Sequence, residues 1–146
     1  MRENKLLSYG SVHRGTWQAG ATGGKRVKVV IKCLLVDDDD TKKSFYKEVD
    51  VWQRLDHPHV VKFYGACHLS SPAFFVCDDA THGNFVEYFE EDKSQLWRLF
   101  YEAVLGLSFL HAEKVVHGDL KCTNLLVGSD NKAKLCDFGF AASQWG

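Results

Sequence analysis

The chain has 146 residues, of which 45% are apolar and 25% charged, with a formal net charge of −1. That is the make-up of one ordinary globular domain. It lacks the basic excess that a nucleic-acid surface needs to neutralise phosphates, so no nucleic-acid partner is expected. Five cysteines occur, Cys33, Cys67, Cys77, Cys122 and Cys136. The number is odd and no pair has CxxC spacing, which reads as reduced thiols and not as a disulfide framework. MRENKLLSYG at the start holds no apolar run of signal-peptide length, and no stretch approaches the ~18 apolar residues of a membrane span. A cytosolic or nuclear setting without membrane contact is the expectation, with the cytoplasm taken as the default.

The first clear element is RVKVVIKCLLV at 26–36. It is rich in β-branched and apolar side chains and reads as a buried strand. DDDDT follows at 37–41. It suits either the positive end of a helix dipole or a solvated acidic loop. Phe45, Val49, Trp52 and Leu55 then recur at helical spacing from Thr41 to Leu55, with Glu48 one residue off that stripe. Pro58 disfavours helical geometry at His57 and ends the element. VVKFYGAC and AFFVCDD read as two strands joined by a polar turn at 68–72. DDATHG at 78–83 suits a hinge between a strand-rich lobe and a helical one. From Ser94 to His111 the residues Leu96, Leu99, Phe100, Ala103, Val104, Leu107 and Leu110 make a long helix with a broad apolar face. VVH, NLLVG and AKLCD follow as short β segments around a turn at GSDNK.

Lys32, Glu48, Asp119, Lys121, Asn124 and Asp137 form an ordered series of chemically capable groups. Phosphoryl transfer from a nucleotide needs such a set: a cation on the α/β-phosphates, an acid to fix that cation, two oxygen ligands for Mg²⁺, and a carboxylate for the acceptor hydroxyl. Mg²⁺ keeps several waters, so one acid and one amide suffice from the protein. Taken singly, Lys32 suits a strand edge, Glu48 an exposed helix face and His117 a core position; the joint pattern carries the reading. His57 and His59 read as packing or surface groups, since no Cys or His set has zinc-site spacing.

In this order the series resembles a eukaryotic protein kinase domain. VVIK at 29–32 is similar to the VAIK strand, HGDLKCTN to the catalytic loop HRDLKxxN, and DFG at 137–139 is complete. GTW at 15–17, HPHVVKFYGAC and HGDLKCTNLLV resemble the tyrosine-kinase-like group of serine/threonine kinases. The resemblance implies an α+β, protein-kinase-like fold. It would have an N-lobe antiparallel sheet with helix αC over residues 1–80, hinge included, and part of a helical C-lobe over residues 81–146. It implies ATP and Mg²⁺ as cofactors and a protein substrate. Lys32 would hold the α- and β-phosphates and pair with Glu48. Asp119 would be the catalytic base, Lys121 would steady the γ-phosphate, and Asn124 and Asp137 would bind Mg²⁺. Gly10 belongs to the nucleotide loop. Cys77 would be the gatekeeper, with Asp78 to Ala80 as the adenine-binding hinge and Val12, Val30 and Leu126 around the ring. Trp52, Phe63, His117 and Phe138 would stack as a regulatory spine. Lys121, two residues after Asp119, points to serine or threonine acceptors by family pattern.

Four departures stand beside these matches. With Val12 aligned, only Gly10 remains of the nucleotide-loop glycines, and Lys5 and Leu7 occupy the first two positions. A Cβ there obstructs backbone approach to phosphate, so weaker nucleotide binding is expected. Val30 replaces a smaller Ala over the adenine. Gly118 replaces the Arg that pairs with a phosphorylated activation loop in the family, which points to activation without that contact. The sequence ends at DFGFAASQWG, without an APE motif or later helices. Two further readings therefore stand beside the enzyme: a pseudokinase-like binding module whose partner covers the open C-lobe face, and a gene fragment without function of its own.

An apolar side chain is worth roughly 1.5–3 kcal/mol when buried, against a typical total stability of about 5–15 kcal/mol. A long helix without its full packing is therefore expected to leave the isolated chain marginally stable. A calorimetric scan checks this, and a sharp, reversible melt above ~50 °C contradicts it.

Overall fold

A computed structural model describes residues 9–18, 20, 23–34, 38–117, 120–136 and 142–143. The strands β1 (Tyr9–Gln18), β2 (Arg26–Leu34), β3 (Phe63–Cys67) and β4 (Phe74–Asp78) form one four-stranded sheet in the order β1-β2-β4-β3. All three pairings are antiparallel. Helix α1 (Asp39–Trp52) lies between β2 and β3 in the chain. Its start lies two residues before the expected Thr41. Asp38 caps it by accepting the Thr41 N–H at 2.7 Å, and Asp39 and Asp40 fill its first turn. The acidic run is thus split between a cap and the dipole-favoured first turn. The helix ends at Trp52, before the expected Leu55, and its buried residues are Phe45, Glu48, Val51 and Trp52. Glu48 therefore lies on the inward stripe, not beside it.

Below the sheet, α2 (Phe85–Glu91) and α3 (Leu96–Ala112) precede the short strands β5 (Val115–Val116), β6 (Leu125–Val127), β7 (Ala133–Leu135) and β8 (Ala142–Ser143). Helix α2 had no counterpart in the periodicity reading. It is short, and Asn84 caps it by accepting the Glu87 N–H at 2.9 Å. Helix α3 buries Leu99, Ala103, Gly106 and Leu110 at three- and four-residue spacing. Its opposite side leaves Trp97 83% and Tyr101 63% exposed, and Val104 is also open to solvent. The apolar face is thus broader than the surface available to cover it.

Strand β7 joins the two halves. On one edge it pairs with β6, and on the other it meets the segment after α1. There the Val61 N–H donates to the Leu135 carbonyl and the Leu135 N–H to the His59 carbonyl, both at 2.9 Å. Glu102 on α3 ties in from below, accepting the Ala133 N–H at 3.0 Å and the Arg98 guanidinium at 2.8 Å. Buried aromatic and aliphatic side chains from both halves form one continuous core around these contacts.

Gly106 lets α3 approach this junction closely. A Cβ there would lie 2.7 Å from the His59 carbonyl oxygen and 3.2 Å from Leu135 Cδ1. The His59 carbonyl is backbone already held by the Leu135 N–H, and Leu135 itself is fully buried. Gly106→Ala is therefore expected to cost about 1–3 kcal/mol of stability through overpacking. A lower urea midpoint at unchanged slope checks it.

Candidate active site

The strand register brings the first group of predicted residues onto one face. Val12 lies opposite Lys32, Lys32 opposite Phe75, and Val30 opposite Cys77. Directly paired residues share a sheet face, and so do residues two apart on one strand. Val12, Val30, Lys32 and Cys77 therefore share a face. Gly10 lies on β1, leading into this patch. Val12 is 58% exposed, open for a ligand to cover, while Val30 is half-buried.

Behind this face sit the charged partners. Glu48 is only 5% exposed. A buried carboxylate is costly unless satisfied, and every buried side-chain nitrogen and oxygen among the described residues has a hydrogen-bond partner. Lys32 and Glu48 both act electrostatically on the Cys77 thiol. Burial is the main cause that pushes this thiol up to about 12; Lys32 opposes it and Glu48 reinforces it. The strand cation and the helix acid thus both bear on the charge of the thiol at the position expected for a gatekeeper. The Lys32 Nζ lies 5.9 Å from the centre of the Phe75 ring.

Past Cys77 the chain turns toward the lower half. The Asp79 N–H donates to the Lys28 carbonyl at 3.0 Å, and the Ala80 carbonyl accepts the Gly83 N–H at 3.1 Å. The next links reach β6: the Val127 N–H donates to the Gly83 carbonyl at 2.8 Å and the His82 N–H to the Val127 carbonyl at 3.1 Å. Half-buried Leu126 is therefore carried next to the hinge. Asp78 turns its carboxylate to the Tyr64 hydroxyl at 3.2 Å. Its carboxyl is raised chiefly by burial, and burial together with the Asp78 charge pushes the Tyr64 phenol up to about 12.

The catalytic-loop residues come together lower down. Lys121 is half-buried in extended backbone just before a single 3₁₀ turn, Cys122–Asn124, and its carbonyl accepts the Asn124 N–H at 2.8 Å. Asn124 is 5% exposed. The Asn124 carbonyl accepts both the Cys136 N–H and the Cys136 thiol at 3.3 Å. From the other side, buried His117 donates through Nε2 to the Cys136 carbonyl at 2.7 Å. The peptide groups just before Asp137 are thus held against the loop that carries Asp119. Asp119 and Asp137 themselves lie outside the described residues, as do Lys5, Leu7, Gly118 and Phe138.

Of the expected aromatic stack, Trp52 and Phe63 are in contact at 5.4 Å between ring centres. Phe75 completes this cluster at 5.4 Å from Trp52. Sequence reading passed over Phe75 because it looks like any strand residue; only its register opposite Lys32 gives it a place beside the site. It also missed Arg14, which reaches from β1 to the hinge carboxylate of Asp79 at 3.6 Å. No local signal marks that pair. Helix α2 did carry a signal: NFVE has the capping-box spacing of Asn and Glu.

Residues 7–144 match the protein tyrosine and serine/threonine kinase family. The chain belongs to that family, and its antiparallel sheet with packed helices is the corresponding N-lobe joined to part of a C-lobe. It is similar to the activated Cdc42 kinase Ack of Drosophila melanogaster, 31% identical over 140 residues that cover 90% of this chain and 13% of that protein. It is also similar to the serine/threonine-protein kinase STY46 of Arabidopsis thaliana, 30% identical over 92% of this chain and 23% of the relative. The tyrosine-protein kinase SRK3 of Spongilla lacustris is 29% identical over 92% of this chain and 40% of its own length. The chain thus spans well under half of each of these relatives, and they include both acceptor classes. Among the described residues no helix is long and apolar enough to cross a membrane.

The thiols of this lobe differ in chemistry. The side chain and backbone of Ser70 hydrogen-bond the Cys67 thiol and hold it below its ordinary value, whereas buried Cys77 stands near 12. The thiolate is the reacting form. Iodoacetamide at neutral pH is therefore expected to label Cys67 well before Cys77, as read by peptide mass spectrometry over time. Equal rates would contradict this arrangement.

Proposed function

We propose that this chain carries the nucleotide-binding lobe and catalytic loop of a cytoplasmic protein serine/threonine kinase of the tyrosine-kinase-like group, which transfers the γ-phosphoryl group of ATP to protein hydroxyls. The observation that carries the reading is the double hold on Cys136 by His117 and Asn124. It brings the segment leading into Asp137 against the turn that contains Asn124. The Asn124 amide offers a hard oxygen donor of the kind that fits Mg²⁺, and by family pattern Asp137 would supply the carboxylate. The shared face of Val12, Val30, Lys32 and Cys77 fits a nucleotide lying under the sheet.

In this reading Lys32 binds the α- and β-phosphates and Glu48 fixes its position. Asp78 to Ala80 offer backbone groups to adenine, with Val12, Val30 and Leu126 against the ring. Asn124 and Asp137 would hold Mg²⁺, which when bound neutralises charge on the phosphate oxygens. Asp119 receives the proton of the acceptor hydroxyl, and Lys121 steadies the phosphoryl group. The serine/threonine preference rests on Lys121 and on the group resemblance of GTW, HPHVVKFYGAC and HGDLKCTNLLV, since relatives of both acceptor classes match. A second reading, a binding module with a protein partner, draws support from the open α3 stripe of Trp97, Tyr101 and Val104 and from Lys5 and Leu7 at glycine positions.

Thermal-shift measurements test the nucleotide reading. MgATP is expected to raise the melting temperature of the chain through preferential binding to the native state. Lys32→Met and Asp137→Asn are expected to remove that shift. Absence of any shift at millimolar MgATP favours the binding module. Phosphoryl transfer to a mixed hydroxyl peptide pool, read by phosphoamino-acid analysis, tests the acceptor class. Phosphoserine and phosphothreonine are expected, and Asp119→Asn should slow transfer by about 10²–10⁴-fold. A product that is mainly phosphotyrosine overturns the acceptor assignment.

A further inference from the structure

Beside the hinge, and lined by none of Val12, Val30, Lys32, Cys77 or Leu126, lies an open cleft of about 1110 Å³. It runs from the β1–β2 turn at Lys25, past Trp17 and Tyr64 on the sheet, to Asp130 and Lys134 beside β7. Both lobes contribute to its walls. The volume is at or above the ~300–1,000 Å³ of sites that enclose a compact small molecule. Its openness to solvent and its lining from both lobes suit a length of peptide.

The charges along it do not balance. Two of its four acids face a cation within the protein, and a third, Asp78, is hydrogen-bonded to a neutral hydroxyl and keeps its place in the charge balance. Asp78 accepts the Tyr64 hydroxyl at 3.2 Å, Asp130 accepts the Lys134 ammonium at 3.0 Å, and Asp79 faces Arg14 at 3.6 Å. Asp56 and Asp78 are left without a paired cation among the described residues. Against these two stand Lys25, Arg26, Lys28 and Lys62, all exposed. None of these four has a carboxylate partner among the described residues. This local excess sits on a chain whose net charge is −1. The cleft also offers aromatic surface. Trp17 is 45% exposed and meets Tyr64 edge to face at 5.1 Å, and the Lys62 ammonium lies 5.5 Å from the Tyr64 ring centre. Cations around a half-open aromatic pair complement carboxylates interspersed with apolar side chains.

We infer that this cleft is a docking site for an acidic, extended peptide segment of a partner protein, with carboxylates at Lys25, Arg26 and Lys62 and an apolar side chain against Trp17 and Tyr64. A segment seated there touches both lobes from outside the nucleotide site, so it binds without competing for that site.

The test uses the whole chain and a fluorescein-labelled peptide of alternating glutamate and phenylalanine, read by anisotropy. The peptide has no side-chain hydroxyl, so it is not an acceptor for phosphoryl transfer. Saturable binding is expected, weakening as salt screens the charges, and unchanged by MgATP. Lys62→Glu, and separately the pair Lys25→Glu and Arg26→Glu, should each weaken it by about tenfold or more. These side chains are exposed, so the variants should keep the parent melting temperature; should the pair fail to fold, Lys62→Glu alone decides. Binding unaffected by Lys62→Glu overturns the proposal. So does equal binding of a glutamine–phenylalanine peptide, which would make the surface merely apolar. Equal or tighter binding of poly-uridine RNA or of phosphatidylserine vesicles at the same salt also overturns it, in favour of a general polyanion surface.

Discussion

The peptide at Cys136 is held from two sides, by the imidazole of His117 and by the carbonyl of Asn124. Everything else about the site is arranged around that hold. One residue earlier, Leu135 exchanges hydrogen bonds with the segment at His59 and Val61, which leads from α1 into the upper sheet. A three-residue strand thus serves as the crosspiece of the molecule. Above it hang the helix that carries Glu48 and the strands that carry Lys32 and Cys77. Beside it lies the catalytic loop. The residues of the candidate site come from distant parts of the chain, and this short strand gives them a common reference.

The electrostatics follow from that geometry. Glu48, His117 and Asn124 are buried polar groups next to an apolar core. Burial of this kind is costly unless each group is paired, and among the described residues the buried side-chain atoms all are. The hinge works differently. Asp78 is half-buried, and its hydrogen bond to Tyr64 lies on the outer side of the sheet. The hinge therefore separates two environments: an inner face where Lys32 and Cys77 share the sheet, and an outer face where cations exceed free carboxylates.

Much of this was legible in the residues. The β-branched run of β2, the helical spacing of Phe45 and Trp52, and the apolar face of α3 each specify their element locally. The kinase motifs specified the roles of the candidate residues by resemblance. Other features were not legible. Helix α2 is short and has Phe85 as its one fully buried residue, so its periodicity is faint and only its cap betrays it. Glu48 looked peripheral because a hydropathy stripe counts apolar residues, whereas this stripe includes a paired acid. Val104 looked like a core residue because periodicity records which side chains share a face, not whether anything covers it.

What the sequence determined by itself is local chemistry. It set which segments become strands and helices, where proline and the acidic run mark their ends, and which residue types are available for phosphate and metal. Those follow from side-chain shape and from spacing within a few residues. Only the tertiary structure decided the register that puts Val12, Lys32 and Phe75 in line. It alone closed the hold of residues 117 and 124 on residue 136, and it alone left Lys25 and Lys62, among the described residues, without a carboxylate partner along one cleft. These depend on contacts between residues far apart in the chain, whose partners are chosen by the packing of the whole core.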